Sequence, residues 1–316
     1  MSGQNGVHTE VFQFRSAEGT AQIYGRKWIP EGPVRFVYQI VHGMADYVDR
    51  YDPLARYLCA AGAAVYGHDH LGHGHTVAEG EPYGYFGRRH GADNVIADMY
   101  QVTERMQREY PHLPLFMFGH SMGSLMARLY CTRHGQVLTG AVFSGTSGAN
   151  PLMFVVRLLA GAAILFGRGR KPARLLSRLA FGSYNDRIRE PRTEYDWISR
   201  DPEIVAAYSK DPWNTFLFTN RAAYDLAGVV QKDSGRRWAG ALPKKTAYYV
   251  ISGDMDPVGN YGRGAEQVFD WMREAGIPDV TLKLYPGGRH ELTNETNREE
   301  VYADVLSWTE NQLQHR

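Results

Sequence analysis

The chain has almost no net charge: Lys+Arg 35 against Asp+Glu 34 leave a formal +1 over 316 residues. Without a global field to draw it onto a polyanion, nucleic-acid binding is not expected. Cysteine is scarce too. The two present, Cys59 and Cys131, are too few for a disulfide framework and sit in alanine- or leucine-rich stretches that read as helices, which suits buried reduced thiols. No apolar run reaches the roughly 20 residues that span a bilayer. The longest, PLMFVVRLLAGAAILFG at 151–167, is interrupted by Arg157 and reads as interfacial or internal. The opening residues MSGQNGVHTEVFQF lack the basic patch, greasy run and small-residue cleavage site of a secretory signal, so the expected location is cytoplasmic, peripheral at a membrane at most. Repeats and low-complexity tracts are also missing.

What is present is a change of rhythm. Segments 9–14, 21–28 and 34–41 are β-branched, aromatic or alternating and read as strands, with Glu18-Gly19 as a turn. Then come a helix at 52–61, a strand at 64–69, a helix at 92–110, a strand at 115–118, a helix at 122–134 and a strand at 138–143. Strands separated by helices of ten or more residues predict a mostly parallel sheet covered on both faces, an α/β architecture. From 147 to 235 the rhythm lapses into helical, basic and aromatic text, which predicts an inserted, mainly helical cap. A strand at 246–252, a helix at 265–275, a strand at 280–285 and a helix at 298–314 resume the pattern. The expected organisation is therefore core 1–146, cap 147–235 and core 236–316.

Gly119-His120-Ser121-Met122-Gly123 follows the strand LFMF and opens the helix SLMARLYC, the context a G-x-S-x-G nucleophile elbow requires. Gly119 and Gly123 keep side chains out of a turn that lifts the hydroxyl above the sheet edge. A helix starting there favours developing negative charge. A serine hydroxyl needs a base, and the base needs a carboxylate, expected in the order Ser, Asp or Glu, His. The loop SGDMDPVG after strand TAYYVIS supplies two candidates, Asp254 and Asp256; Pro257 stiffens the chain after the second, while the first can equally cap the turn. Asp256 is favoured. His290 follows strand TLKLY and the flexible loop PGGR, completing the set Ser121, Asp256 and His290.

Acyl transfer also needs amides aimed at the carbonyl oxygen as it becomes negative. Met122 follows the nucleophile, and Met44 lies in Val41-His42-Gly43-Met44 after an early strand, where Gly43 permits close approach. His42, Gly43, Gly119, His120 and Gly123 are thus supporting residues. GHDHLGHGH at 67–75 invites a metal reading, since imidazoles and an aspartate ligate zinc. Its histidines alternate with glycines in one loop, no second ligand cluster follows, and no H-E-x-x-H helix exists, so a structural loop is expected, with no metal and no organic cofactor.

VHGMADYVDRYDPLARYL, GHDHLGHGHT, GHSMGS, SGDMDPVG and LYPGGRHELTNE, in this order and spacing, resemble the monoacylglycerol lipase and lysophospholipase group of α/β-hydrolases, also grouped as serine-aminopeptidase-like hydrolases. The resemblance spans most of the chain. It implies a cap between the two core halves, a triad of Ser121, Asp256 and His290 with Asp254 outside it, and the Met44 and Met122 amides as oxyanion donors. It implies single-chain lipid esters as substrate, with a short-chain carboxylesterase or an aminopeptidase-like hydrolase as alternatives. The cap text FGSYNDRIREPRTEYDWISRD departs from animal monoacylglycerol lipases and is similar to bacterial members labelled lysophospholipases. A non-catalytic binding protein is disfavoured, because it has little reason to retain all three triad side chains.

Within the cap, 151–166 is apolar on nearly every side and is expected either to line an acyl tunnel or to press into a membrane surface. Arg168, Arg170, Lys171, Arg174 and Arg178 follow with no acid between them, a pairing that suits anionic lipid as well as an ordinary solvated loop. Trp197, Tyr208, Trp213, Phe216, Phe218 and Tyr224 are available for a greasy pocket or for the cap's own core.

Overall fold

Period-two alternation along the inner strands gives each of them two buried faces, so the sheet needs helices on both sides. The computed structural model describes residues 6–315. Residues 1–5, which begin the segment read as free of a secretory signal, and Arg316 lie outside the described residues. The strands are β1 (Val7–Arg15), β2 (Gln22–Pro30), β3 (Phe36–Val41), β4 (Ala63–His68), β5 (Leu115–His120), β6 (Gly140–Ser144), β7 (Ala247–Gly253) and β8 (Val280–Tyr285). They form one sheet in the order β1-β2-β4-β3-β5-β6-β7-β8. β1, β2 and β4 pair antiparallel, and every later pairing is parallel.

Helices α1 (Asp52–Ala60), α2 (Gly91–Glu109) and α3 (Met122–His134) follow β3, β4 and β5. Between β6 and β7 lie α4 (Leu152–Leu165), α5 (Arg174–Phe181), α6 (Pro202–Lys210), α7 (Asn220–Lys232) and the short α8 (Gly235–Ala239). α9 (Arg263–Glu274) and α10 (Arg298–Gln314) follow β7 and β8. On one face, Tyr38, Ile40, Phe116, Phe118 and Ile251 pack under Leu54 and Leu58 of α1 and Val301 and Val305 of α10. On the other, Val37, Val41, Met117, Phe143 and Val250 pack under Met99, Met126, Val268 and Met272. Each fully buried side chain of this kind contributes about 1.5–3 kcal/mol. Cys59 and Cys131 are buried free thiols in α1 and α3.

Strand ends fall within two residues of expectation, and two of the shifts have a local cause. β4 stops at His68, because the Asp69 carboxylate turns away to accept the Val48 and His75 amides (2.8 Å each). β6 begins at Gly140, because 135–137 form a 3₁₀ turn whose last bond runs from Leu138 N–H to Gly135 O.

Outside the sheet, α4 and α7 share a small cluster of Val156, Ala160 and Ala227 with Ala173 and Leu176. Helix α6 is capped by Asp201, which accepts the Glu203 amide at 3.0 Å with Pro202 next in line, and α7 by Thr219, which accepts from Ala222. The opposite side of α7 turns Ala222, Val229 and Val230 into the main core against α2 and α3. Among the described residues no helix is long and apolar enough to cross a membrane.

Candidate active site

Strand register brings the loops of interest to one edge. Val41 pairs with Gly119, His120 with Ser144, Ser144 with Ile251, and Gly253 with Tyr285, so the chain leaves β3, β5, β7 and β8 side by side. At the end of β5, Ser121 adopts φ 54°, ψ −122°, a backbone conformation uncommon for a residue with a Cβ and costing on the order of 1–3 kcal/mol. Its neighbours hold it there. Ser121 N–H donates to Ser144 O (2.9 Å), and its own carbonyl accepts from Ser124 N–H and from Ser124 Oγ. The flanking glycines are sterically required: a Cβ on Gly123 would run into the Val41 and His42 carbonyls, and one on Gly119 would sit 2.7 Å from Gly123 O.

His290 Nε2 lies 2.8 Å from Ser121 Oγ, and His290 Nδ1 lies 3.0 Å from both carboxylate oxygens of Asp256. A nitrogen facing a carboxylate carries the proton, which leaves the Nε2 lone pair free to accept the serine hydroxyl. Burial alone would lower the imidazole's pKa, but the adjacent Asp256, assisted by Glu291 and Asp46, raises it above its ordinary 6.5. Asp256 also accepts the Val258 amide (2.9 Å). Asp254 does something else: its carboxylate takes the Gly287 amide at 2.7 Å and pins the loop that carries His290. The arrangement can move a proton from Ser121 to the imidazole and then onward to a leaving group.

Met44 and Met122 both line the cavity beside Ser121, and among the described residues neither main-chain N–H is engaged in a hydrogen bond. His42 helps aim one of them. Its Nδ1 donates to Gly43 O at 2.8 Å, while its Nε2 accepts the His70 amide at 2.9 Å. Fixing that carbonyl fixes the Met44 N–H on the far side of the same planar peptide. A Cβ on Gly43 would press on Ser121 Cβ and on the His120 ring, each at 3.3 Å. His120 is buried with its ring 4.7 Å from His290, and burial pushes its pKa down to about 3. It is a neutral spacer between the two loops.

In the histidine-rich loop, His68, His70 and His73 are buried; His70 and His73 pack against His42 at 4.1 and 5.1 Å, and His68 meets the His70 ring edge-on at 4.8 Å. Burial pushes His42 and His68 down to about 3 and His73 to about 4, so all three are neutral. Among the described residues no group of three or more His, Cys, Asp or Glu side chains is arranged to hold a metal ion.

A cavity of about 590 Å³ opens at Ser121. Its apolar lining includes Met122 and Leu125 of α3, Met153 and Val156 of α4, Leu176 and Phe181 of α5, and Leu226 and Val230 of α7. Trp197, Tyr208, Phe216 and Phe218 also line it. Trp213 and Tyr224 do not: Trp213 bonds Tyr83 OH and stacks on His75, and Tyr224 lies in a surface groove under the Arg157 guanidinium.

This geometry has relatives. Residues 32–297 match the family described as Serine aminopeptidase, S33. The chain belongs to this family. Across its members, a monoacylglycerol lipase of Mycolicibacterium smegmatis is 30% identical over 92% of this chain and 93% of its own length. The human monoglyceride lipase is 28% identical over 90% and 86%. Among solved structures, a carboxyl esterase from Bacillus coagulans in complex with glycerol superimposes with TM-score 0.91 at 34% identity, covering 96% of this chain and 98% of the other. This member of the family is a serine carboxylic ester hydrolase of the α/β-hydrolase fold.

Several polar residues of this site were not singled out in the sequence. Arg50 donates to Asp46 (2.9 Å) and, two-pronged, to Glu291 (2.8 and 2.6 Å). Asp46 in turn accepts Gly43 N–H (3.0 Å) and Tyr51 OH (2.7 Å); despite burial, Arg50 holds its carboxyl well below the usual range. The network joins the Met44 loop to the residue after His290. Asp46 and Arg50 stand four apart, a spacing shared by ordinary exposed ion pairs, and only the distant Glu291 makes this one internal.

Proposed function

We propose that this hydrolase cleaves single-chain lipid esters of the monoacylglycerol or lysophospholipid type. The observation that carries the reading is a largely apolar cavity of about 590 Å³ whose lining includes Ser121 and His290, themselves in contact at 2.8 Å. Ser121 Oγ attacks the ester carbonyl while His290 Nε2 takes its proton; the Met44 and Met122 amides stabilise the oxyanion. His290 returns the proton to the departing alcohol, leaving an acyl-Ser121 that water then attacks by the same route. Asp256 keeps the imidazole in the right tautomer. Relatives named monoacylglycerol lipase and monoglyceride lipase support this substrate class.

A short-chain carboxylesterase is the second reading, favoured by the Bacillus coagulans enzyme's name. Peptidase action fits less well. Of the carboxylates lining the cavity, Asp46 and Glu291 are tied to Arg50, leaving the exposed Glu194 to meet a peptide amino terminus. Hydrolysis of p-nitrophenyl acetate, octanoate and laurate, of lauroylglycerol and lysophosphatidylcholine, and of aminoacyl anilides separates the three. We expect kcat/KM to rise from acetate to laurate. A maximum at acetate, or faster anilide cleavage, overturns the lipid reading.

The proposal includes the division into core 1–146 and 236–316 and cap 147–235, and a role for the cap surface. Phe154, Leu158, Leu165 and Phe166 are 60%, 58%, 87% and 83% exposed. After them in the chain, Arg168, Lys171, Arg174 and Arg178 are exposed and have no acidic partner among the described residues, and Arg174 and Arg178 also line the Ser121 cavity. An apolar face followed by unpaired cations matches an anionic lipid surface, from which a single-chain ester enters the channel.

A further inference from the structure

Among the described residues, the only arginine with no exposed side-chain surface that also faces an equally buried acid lies outside the reacting groups. Arg128 sits on α3, two turns beyond Ser121, and is 0% exposed. Its Nη1 donates to Thr146 Oγ1 (3.1 Å) and Ser147 O (2.6 Å), where the chain leaves β6 for the cap. Its Nη2 donates to the main-chain carbonyl of Asp233, the residue that caps α7 where the chain returns. The guanidinium lies 4.5 Å over the Trp238 ring, and Trp238 Nε1 bonds back to Arg128 O (3.1 Å).

The acid it faces is poorly used. Arg128 Nε and Asp233 Oδ2 are 3.5 Å apart, and neither carboxylate oxygen of Asp233 accepts a hydrogen bond. Burial pushes the Asp233 carboxyl up to about 7 despite the neighbouring cation. A pair this dry costs more to desolvate than its attraction returns, so net stability is a poor reason for it. Geometry supplies a better one. Arg128 is held by main-chain carbonyls at both crossings, Ser147 O and Asp233 O, each two residues from a glycine in the left-handed region, Gly145 (φ 59°) and Gly235 (φ 82°). Three of the helices that line the cavity are α3, which carries Arg128, α4, which starts from the first crossing, and α7, which ends at the second; α5 and α6 supply further lining.

We propose that Arg128 is a positioning residue that ties both cap crossings to the nucleophile helix and thereby sets the spacing of α4 and α7 across the acyl channel. The inference rests on the reading of that channel as the acyl site. A planar fork can reach two crossings at once, which a lysine ammonium cannot. Arg128→Lys keeps the charge opposite Asp233. A second variant, Arg128→Met with Asp233→Leu, removes the dry pair together and restores an apolar interior without the bridge.

The test is the ratio of kcat/KM for p-nitrophenyl laurate over acetate, measured beside the thermal midpoint. The expected result is a fall of about ten-fold in this ratio in both folded variants, carried by KM for laurate, whatever the change in midpoint. Asp233→Asn, which retains the main-chain acceptor, is expected to keep the wild-type ratio. Folded variants with an unaltered ratio overturn the inference alone. A wild-type protein indifferent to chain length overturns the acyl-channel reading, and the inference falls with it.

Discussion

At the scale of single residues, the site is a set of short contacts made under steric pressure. Replacing Ser121 or His290 with alanine should lower ester turnover by about 10⁴-fold or more while leaving circular dichroism and the thermal midpoint near wild type. Retained turnover in either variant would remove that residue from the mechanism. The pH profile carries a second expectation. An imidazolium has no lone pair for the serine proton, so kcat/KM should fall on the acid side, with an apparent pKa above 6.5 because Asp256, Glu291 and Asp46 favour the charged ring. Glu291→Gln should shift that limb to lower pH; a limb already below 6.5 in the wild type would contradict the assignment. Gly123→Ala adds a methyl where two carbonyls stand. It should cost at least about 2 kcal/mol in urea unfolding, since main chain on both sides cannot yield as a side chain can.

At the scale of elements, two loops and one helix do most to shape the site. The Met44 loop and the His290 loop are joined through Asp46, Arg50 and Glu291, with Arg50 in turn 5.1 Å over the Tyr208 ring of α6. Arg50→Ala leaves two carboxylates in the interior without their cation. Breaking such a pair should lower stability by about 3–5 kcal/mol by chemical denaturation and slow turnover along with it. Helix α4 has a double assignment, because its sequence is apolar on every side: Met153 and Val156 face the channel while Phe154 and Leu158 face outward. Phe154→Ser with Leu158→Ser should therefore reduce co-sedimentation with phosphatidylglycerol vesicles several-fold and leave hydrolysis of soluble p-nitrophenyl acetate intact. Equal sedimentation of wild type and variant, or wild-type binding that is the same on phosphatidylcholine, would rule out an anionic-surface role.

At the scale of the whole molecule, the proposed core and cap should differ in how readily they open. The stretch between Phe181 and Asp196 forms no helix or strand and is largely exposed, Arg189 included, whereas the inner strands are buried throughout. Limited trypsinolysis should cut between 182 and 194 first. Initial cuts within 1–146 or 236–316 would argue against the division. Much of this organisation was legible beforehand. Strand and helix alternation is a local, periodic signal, and a strained turn between a strand and a helix leaves the mark Gly119-x-Ser121-x-Gly123. Asp256 and His290 were legible because each directly follows a strand and because their order relative to Ser121 is restricted. Sequence by itself therefore determined the layered sheet and the three side chains that meet above the sheet edge. Tertiary structure alone decided that Arg50 reaches Glu291, that Arg128 bonds the carbonyls of both Ser147 and Asp233, and that Trp213 and Tyr224 stay out of the cavity lining. Those contacts join residues up to 241 positions apart, and no local period or spacing records which distant partner a side chain meets once the chain has folded.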